Sequence, residues 1–121
     1  MLWLISARWV LALALVAVSA GAVAAELTFD IRIEHGRIPD AMRLMRVHEG
    51  DMVRLRWTSD RPLVLHLHGY DIEQPVAPDA VTEFAFAANA TGRFPIELHA
   101  QVVGGAAHSD AALAIVEVYP R

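Results

Sequence analysis

Met52-Val53-Arg54-Leu55-Arg56-Trp57 and, after the turn Ser59-Asp60-Arg61-Pro62, Leu63-Val64-Leu65-His66-Leu67-His68-Gly69 decide how this chain is read. In the first run Val53, Leu55 and Trp57 alternate with Arg54 and Arg56; in the second, Leu63, Leu65 and Leu67 alternate with Val64, His66 and His68. A period of two puts successive side chains on opposite faces of an extended chain, so each run is a strand with one apolar face. Burying the leucines sends both histidines to the other face, or to the rim where the strand stops at Gly69.

The same alternation recurs on either side. Upstream, Leu27, Phe29, Ile31 and Ile33 form one side of a strand, His35-Gly36-Arg37-Ile38-Pro39-Asp40 breaks it, and Met42, Leu44 and Met45 lead into Val47. Glu49-Gly50-Asp51 then supplies the turn that a hairpin or a sheet-to-sheet corner needs. Downstream, Gln74-Pro75-Val76-Ala77-Pro78-Asp79 reads as an irregular connector, because a proline cannot donate to an interior ladder. Val81 to Phe86 resumes a strand, Asn89-Ala90-Thr91-Gly92 turns, and Arg93 to His99 alternates with Phe94, Ile96 and Leu98 inward. A small-residue loop, Val103 to Asp110, precedes the closing strand Leu113 to Tyr119. About seven short strands at spacings of about ten residues predict an all-β, antiparallel-rich β-sandwich.

The chain opens differently. Arg8 is the single charge before Trp9-Val10-Leu11-Ala12-Leu13-Ala14-Leu15-Val16-Ala17-Val18, and Ser19-Ala20-Gly21-Ala22-Val23-Ala24-Ala25 follows, rich in small residues. This pattern predicts a cleaved secretory signal peptide over 1–25, with cleavage after Ala24 or Ala25 fitting equally. The competing reading is an uncleaved anchor, for which the apolar region is barely long enough. Residues 26–121 then form one domain, of a size that builds a single core without staples. With the leader removed, no stable membrane insertion is expected, and the protein belongs in the periplasm or outside the cell.

The chain has no cysteine, so export brings no disulfide. Nine arginines from Glu26 onward face fourteen acids, a formal charge of about −5. No basic stripe with interleaved aromatics is present, which argues against nucleic acid as a partner. No nucleophile stands beside an attendant base, and Gly104-Gly105 lacks the strand-to-helix context of a phosphate loop, so the sequence does not read as an enzyme.

The chemistry that remains is imidazole. His66 and His68, two residues apart on one strand, form a ready ligand pair, and neutral imidazole is the commonest side-chain ligand for copper and zinc. If the strand Arg93 to His99 lies alongside, Glu97 and His99 share their surface, and His108 from the glycine-rich loop is a further candidate. The competing reading makes these solvated strand histidines. Tyr70 and Asp71 are candidates to orient a ligand histidine, although Gly69-Tyr70-Asp71 also reads as a simple turn. His35 and His48 fall in turns, and Met42, Met45 and Met52 read as packing residues.

In their order, three segments resemble a cupredoxin-like domain. Val47-His48-Glu49-Gly50-Asp51 with Val53 to Trp57 is similar to the early hydrophobic-x-x-G-D-x-V element of that fold. Thr91-Gly92-Arg93-Phe94-Pro95-Ile96-Glu97-Leu98-His99 resembles its strand before the ligand loop, and Ala112 to Val118 its terminal strand. The resemblance implies a Greek-key β-sandwich. In blue-copper members the last loop carries a cysteine, but here that position corresponds to Leu98, and no methionine lies beyond Met52. Without a thiolate the blue site and its electron transfer are excluded. His66-Leu67-His68-Gly69 also resembles the H-x-H-G element of multicopper oxidase domains, which implies histidine ligation of copper without the oxidase's remaining centres.

The sequence therefore predicts an exported copper-binding protein with His66, His68, His99 and His108 as ligands and Tyr70, Asp71 and Glu97 behind them. Cu(II) is the preferred ion, the role is carriage, buffering or delivery of copper, and the expected partner is a copper-trafficking protein. The alternative is a metal-free cupredoxin-like interaction module.

Overall fold

The computed structural model describes Ala17, residues 23–102 and residues 105–121, with the side chains of 100–111 excepted. Its strands are β1 (Glu26–Ile33), β2 (Leu44–His48), β3 (Met52–Ser59), β4 (Leu63–Leu67), β5 (Ile72–Val76), β6 (Thr82–Ala87), β7 (Gly92–Val102) and β8 (Gly105–Tyr119), with one 3-10 turn at Asp40–Met42. They form a three-stranded sheet in the order β1-β3-β6 and a five-stranded sheet in the order β2-β8-β7-β4-β5. β1 runs parallel to β3 and β2 parallel to β8, and the other pairs are antiparallel.

The Glu49-Gly50-Asp51 turn is a sheet-to-sheet corner, since β2 and β3 lie in different sheets. Gly50 holds it at φ 89°, and the Asp51 carboxylate accepts the His48 N–H at 2.9 Å. Between the sheets, Val53, Leu55, Trp57, Leu63, Leu65, Leu67, Phe84 and Ile96 are all buried, and the Trp57 and Phe84 rings lie 5.9 Å apart. Each such side chain contributes roughly 1.5–3 kcal/mol by leaving water. The three leucines of β4 thus fix its face, and Val64 and His66 are turned to the outer surface of the five-stranded sheet.

Two expectations are corrected. The segment read as an irregular connector contains β5, which raises the strand count from about seven to eight. It sits at the edge of its sheet, and Pro75 pairs there with Val64, a place where a missing N–H is tolerated. The small-residue loop before the last strand is likewise shorter than expected, because Gly105–Tyr119 is one strand paired with β7. Backbone pairing there makes up for the weak strand propensity of Gly, Ala and Ser.

Candidate metal centre

β4 lies between β5 and β7, and its register decides what surrounds His66. Directly opposite are Glu97 on β7 and Glu73 on β5, while Val64 pairs with His99. Residues opposite one another in an antiparallel pair share a face, so the outer surface carries His66 flanked by two acidic positions. His68 follows β4, its backbone N–H held by the Pro95 carbonyl at 3.1 Å. Gly69 then turns the chain at φ 85°, where a Cβ would stand 2.3 Å from Phe94 Cδ1. Glycine is required here both for the backbone angle and for the approach of the phenyl ring.

The side chains converge. The His66 and His68 rings are 4.2 Å apart between centroids, and the His66 and His99 rings 6.0 Å. His68 Nε2 lies 2.9 Å from Glu97 Oε2, and His99 Nε2 lies 3.6 Å from the same oxygen. One ligand atom from each of His66, His68 and Glu97 falls within 4.8 Å of the other two. The pairing of β7 with β8 shifts register between Ile96 and Glu97 and again between Glu97 and His99. Such bulges re-aim side chains, and this one lies at the carboxylate on which His68 and His99 converge.

The electrostatics suit a cation. The His68 imidazole holds the Glu97 carboxyl below the usual carboxylate range and His99 acts in the same direction, while partial burial opposes them. Glu97 is therefore a carboxylate at neutral pH. His68 Nε2 is shielded from solvent yet has no aligned hydrogen-bond partner, although Glu97 Oε2 is at ion-pair distance. The 2.9 Å approach and the lowered Glu97 carboxyl show the two groups interacting directly, so both present lone-pair-bearing atoms at one place on the sheet. Around a tetrahedral ion with donors at roughly 2.0–2.2 Å, neighbouring donors stand about 3.3 Å apart. The donors of His66, His68 and Glu97 stand within 4.8 Å of one another, and their types, two imidazoles and a carboxylate, fit a metal ion with nitrogen and oxygen ligands.

The structure brings together His66, His68, Glu97 and His99 of the residues singled out from the sequence. Glu97, expected behind the ligands, is grouped with His66 and His68 by distance. Tyr70 is placed elsewhere: its hydroxyl donates to the Ala90 carbonyl at 2.9 Å and accepts the Ala90 N–H at 3.2 Å, and its ring packs on Phe86 and Phe94. Asp71 is exposed in the turn at φ 55°. His108 is paired with His99 through the backbone of β8, and its side chain lies outside the described residues. Glu73 went unnoticed in the sequence because its strand did, and only the β4–β5 register reveals it.

No family model matches this sequence, and no curated protein matches it. Solved structures do match its fold. The chain is similar to a blue copper oxidase from Nitrosomonas europaea at 18% identity and a TM-score of 0.61, over 80% of this chain and 39% of that one. A copper nitrite reductase from the same organism matches at 14% identity and a TM-score of 0.54, over 79% of this chain and 42% of that one. The periplasmic domain of subunit II of cytochrome oxidase (CoxB) from Bradyrhizobium japonicum matches at 17% identity and a TM-score of 0.52, over 78% of this chain and 83% of that one. The chain thus spans under half of the oxidase and reductase chains but most of the CoxB domain. These likenesses show the fold: two mixed sheets forming a cupredoxin-like β-sandwich.

Proposed function

We propose that this protein binds copper on the outer face of its five-stranded sheet through His66, His68 and Glu97, with His99 as the adjoining imidazole. The observation that carries this reading is the grouping of three donors, one each from His66, His68 and Glu97, within 4.8 Å of one another. Imidazole and carboxylate donors without sulfur favour Cu(II) over Cu(I), and among divalent first-row ions copper binds such ligands most tightly. The copper proteins that share the fold support the choice of metal. The chain has no cysteine, so a thiolate-based blue centre and its electron transfer are ruled out.

Half-buried donors on the outer face of a sheet suit holding and passing on an ion. We therefore assign the protein to copper handling as a carrier, buffer or delivery factor outside the cytoplasm, with a copper-trafficking protein as its partner. Among the described residues no helix is long and apolar enough to cross a membrane. The register of β8 opposite His99 makes His108 the next ligand to test.

A second reading, a metal-free interaction module, draws on the 2.9 Å approach of His68 to Glu97, which holds the two side chains together without an ion whenever His68 is protonated. Titration with Cu(II) under competition with a chelator of known affinity separates the two. Saturable one-to-one binding that is lost in His66→Ala/His68→Ala supports the copper site. Binding that is absent, or unchanged in the double variant, refutes it.

A further inference from the structure

We propose that this protein pairs with a second copy of itself through the outer face of its five-stranded sheet, about a two-fold axis at Pro95 that sets Arg93 of each copy against Glu97 of the other. The pairing belongs to the metal-free chain and stands without the copper reading.

The register of the sheet arranges that face in rows. Leu44, Ile115 and Pro95 are in register across β2, β8 and β7, and all three are half-buried. They share the outer face because their neighbours in the strands, Met45, Ala114, Val116 and Ile96, are buried between the sheets. On one side of this apolar row lies a charged one, Arg46, Glu117 and Arg93, again in register. On the other side Glu97, His66 and Glu73 form a third row across β7, β4 and β5. A groove of about 410 Å³, lined in part by Leu44, Leu113 and Ile115 with Arg43 and Arg93, leaves the apolar row open to a second surface.

Along β7 the two charges stand symmetrically about that row. Arg93 is two residues before Pro95 and Glu97 two residues after it, each about 7 Å away at the usual strand rise. In a two-fold dimer the same patch meets itself, so residue i contacts j and j contacts i. An axis lying in the interface and crossing the strands at Pro95 reverses strand direction and leaves β7 over β7. Arg93 of one copy then faces Glu97 of the other, twice, while the apolar rows meet along the axis. An axis along the strand would instead oppose Arg93 to Arg93 and Glu97 to Glu97, so the charges choose between the two packings. Sheets stacked face to face stand about 10 Å apart, a gap that an arginine and a glutamate facing one another bridge.

Both groups are available. The Arg93 and Glu97 side chains are 65% and 31% exposed. Arg93 meets Glu117 through Nε at 3.6 Å, which does not use the forked end of the guanidinium. A face five strands wide and about seven residues long covers roughly 550 Å² on each copy, below a standard interface, so the dimer is weak and reversible. It takes up a carboxylate that the copper site proposed above also uses, so metal and second copy compete for Glu97.

Sedimentation equilibrium of the metal-stripped protein, expressed from the full chain, tests this between about 10 μM and about 1 mM. A monomer–dimer equilibrium is expected. Arg93→Glu and Glu97→Arg each raise the dissociation constant at least about tenfold, and the two together, which restore opposite charges across the axis, return it to within about threefold of the parent. Arg93→Gln and Glu97→Gln, which remove the charges without reversing them, weaken association in the same direction, and the melting temperature of the dilute protein checks that each variant is folded. Arg54→Glu, on the outer face of the other sheet, leaves the dissociation constant unchanged. A protein that stays monomeric at about 1 mM overturns the proposal, as does a dimer indifferent to the single reversals or not repaired by the double one.

Discussion

Gly69→Ala tests whether the glycine that follows the histidine pair belongs to the fold or to the metal chemistry. Gly69 lies at φ 85°, a conformation that costs an L-residue roughly 1–2 kcal/mol. The added methyl would also meet Phe94 Cδ1 at 2.3 Å and Cε1 at 2.6 Å, far inside van der Waals contact. The Phe94 ring cannot simply swing away, because Tyr70 packs edge-on against it at 4.8 Å and is itself tied to Ala90 through its hydroxyl. Overpacking of this kind costs about 1–3 kcal/mol, which with the backbone term gives roughly 2–5 kcal/mol. Against a total of about 5–15 kcal/mol this is a large fraction, and for a domain of this size the melting temperature falls by about 10–30 °C. Urea unfolding of the metal-free protein measures it, with an unchanged m-value showing that the unfolded state is not what changed. The Phe94→Ala background separates the two causes: without the ring, Gly69→Ala costs only the backbone term of about 1–2 kcal/mol. If Gly69→Ala lies within about 0.5 kcal/mol of the parent, or costs as much without the ring as with it, the steric reasoning is wrong.

The remaining expectations concern the site, the core and acid stability. His68→Ala and Glu97→Gln each weaken Cu(II) binding by at least about tenfold in competition titrations, equivalent to about 1.4 kcal/mol; an unchanged affinity in Glu97→Gln would return that residue to a supporting role. His66→Ala, on the outer face, leaves the unfolding midpoint of the metal-free protein within about 0.5 kcal/mol, whereas Leu65→Ala one residue away costs about 2–5 kcal/mol because Leu65 is wholly buried. Asp51, accepting N–H groups from Ala25 and His48 with Arg121 alongside, has its carboxyl held below the usual range. Its folded value lies under its unfolded one, so the unfolded state takes up the proton first. The stabilisation is complete above the unfolded value of about 3.9 and is lost as pH falls through the folded value. Urea midpoints between about pH 6 and about pH 3 should therefore fall with acid in the parent and less steeply in Asp51→Asn, and parallel curves would count against the assignment.

How much of the site could be read beforehand depends on which interactions are local. The two histidines follow from alternation within β4 alone, because Leu63, Leu65 and Leu67 have only one place to go. Alternation within β7 likewise puts Glu97 and His99 on one face, and the pairing of β4 with β7 brings those two faces together. Beyond this, the deciding interactions are between strands. Glu97 lies where β7 and β8 lose register, and that irregularity depends on the pairing of both strands. β5 was hidden by Pro75, which disqualifies an interior strand but not an edge, and whether a strand is an edge is a property of the whole sheet. With β5 went Glu73, the second acidic position opposite His66. Tyr70 follows the motif in sequence, but its partners in space are Phe86, Ala90 and Phe94, which alternation within one strand does not reveal. The H-x-H-G run by itself therefore specifies two neighbouring imidazoles and a turn. The carboxylate that stands against them, Glu97, is supplied by the register of β4 with β7, a strand well downstream in the chain.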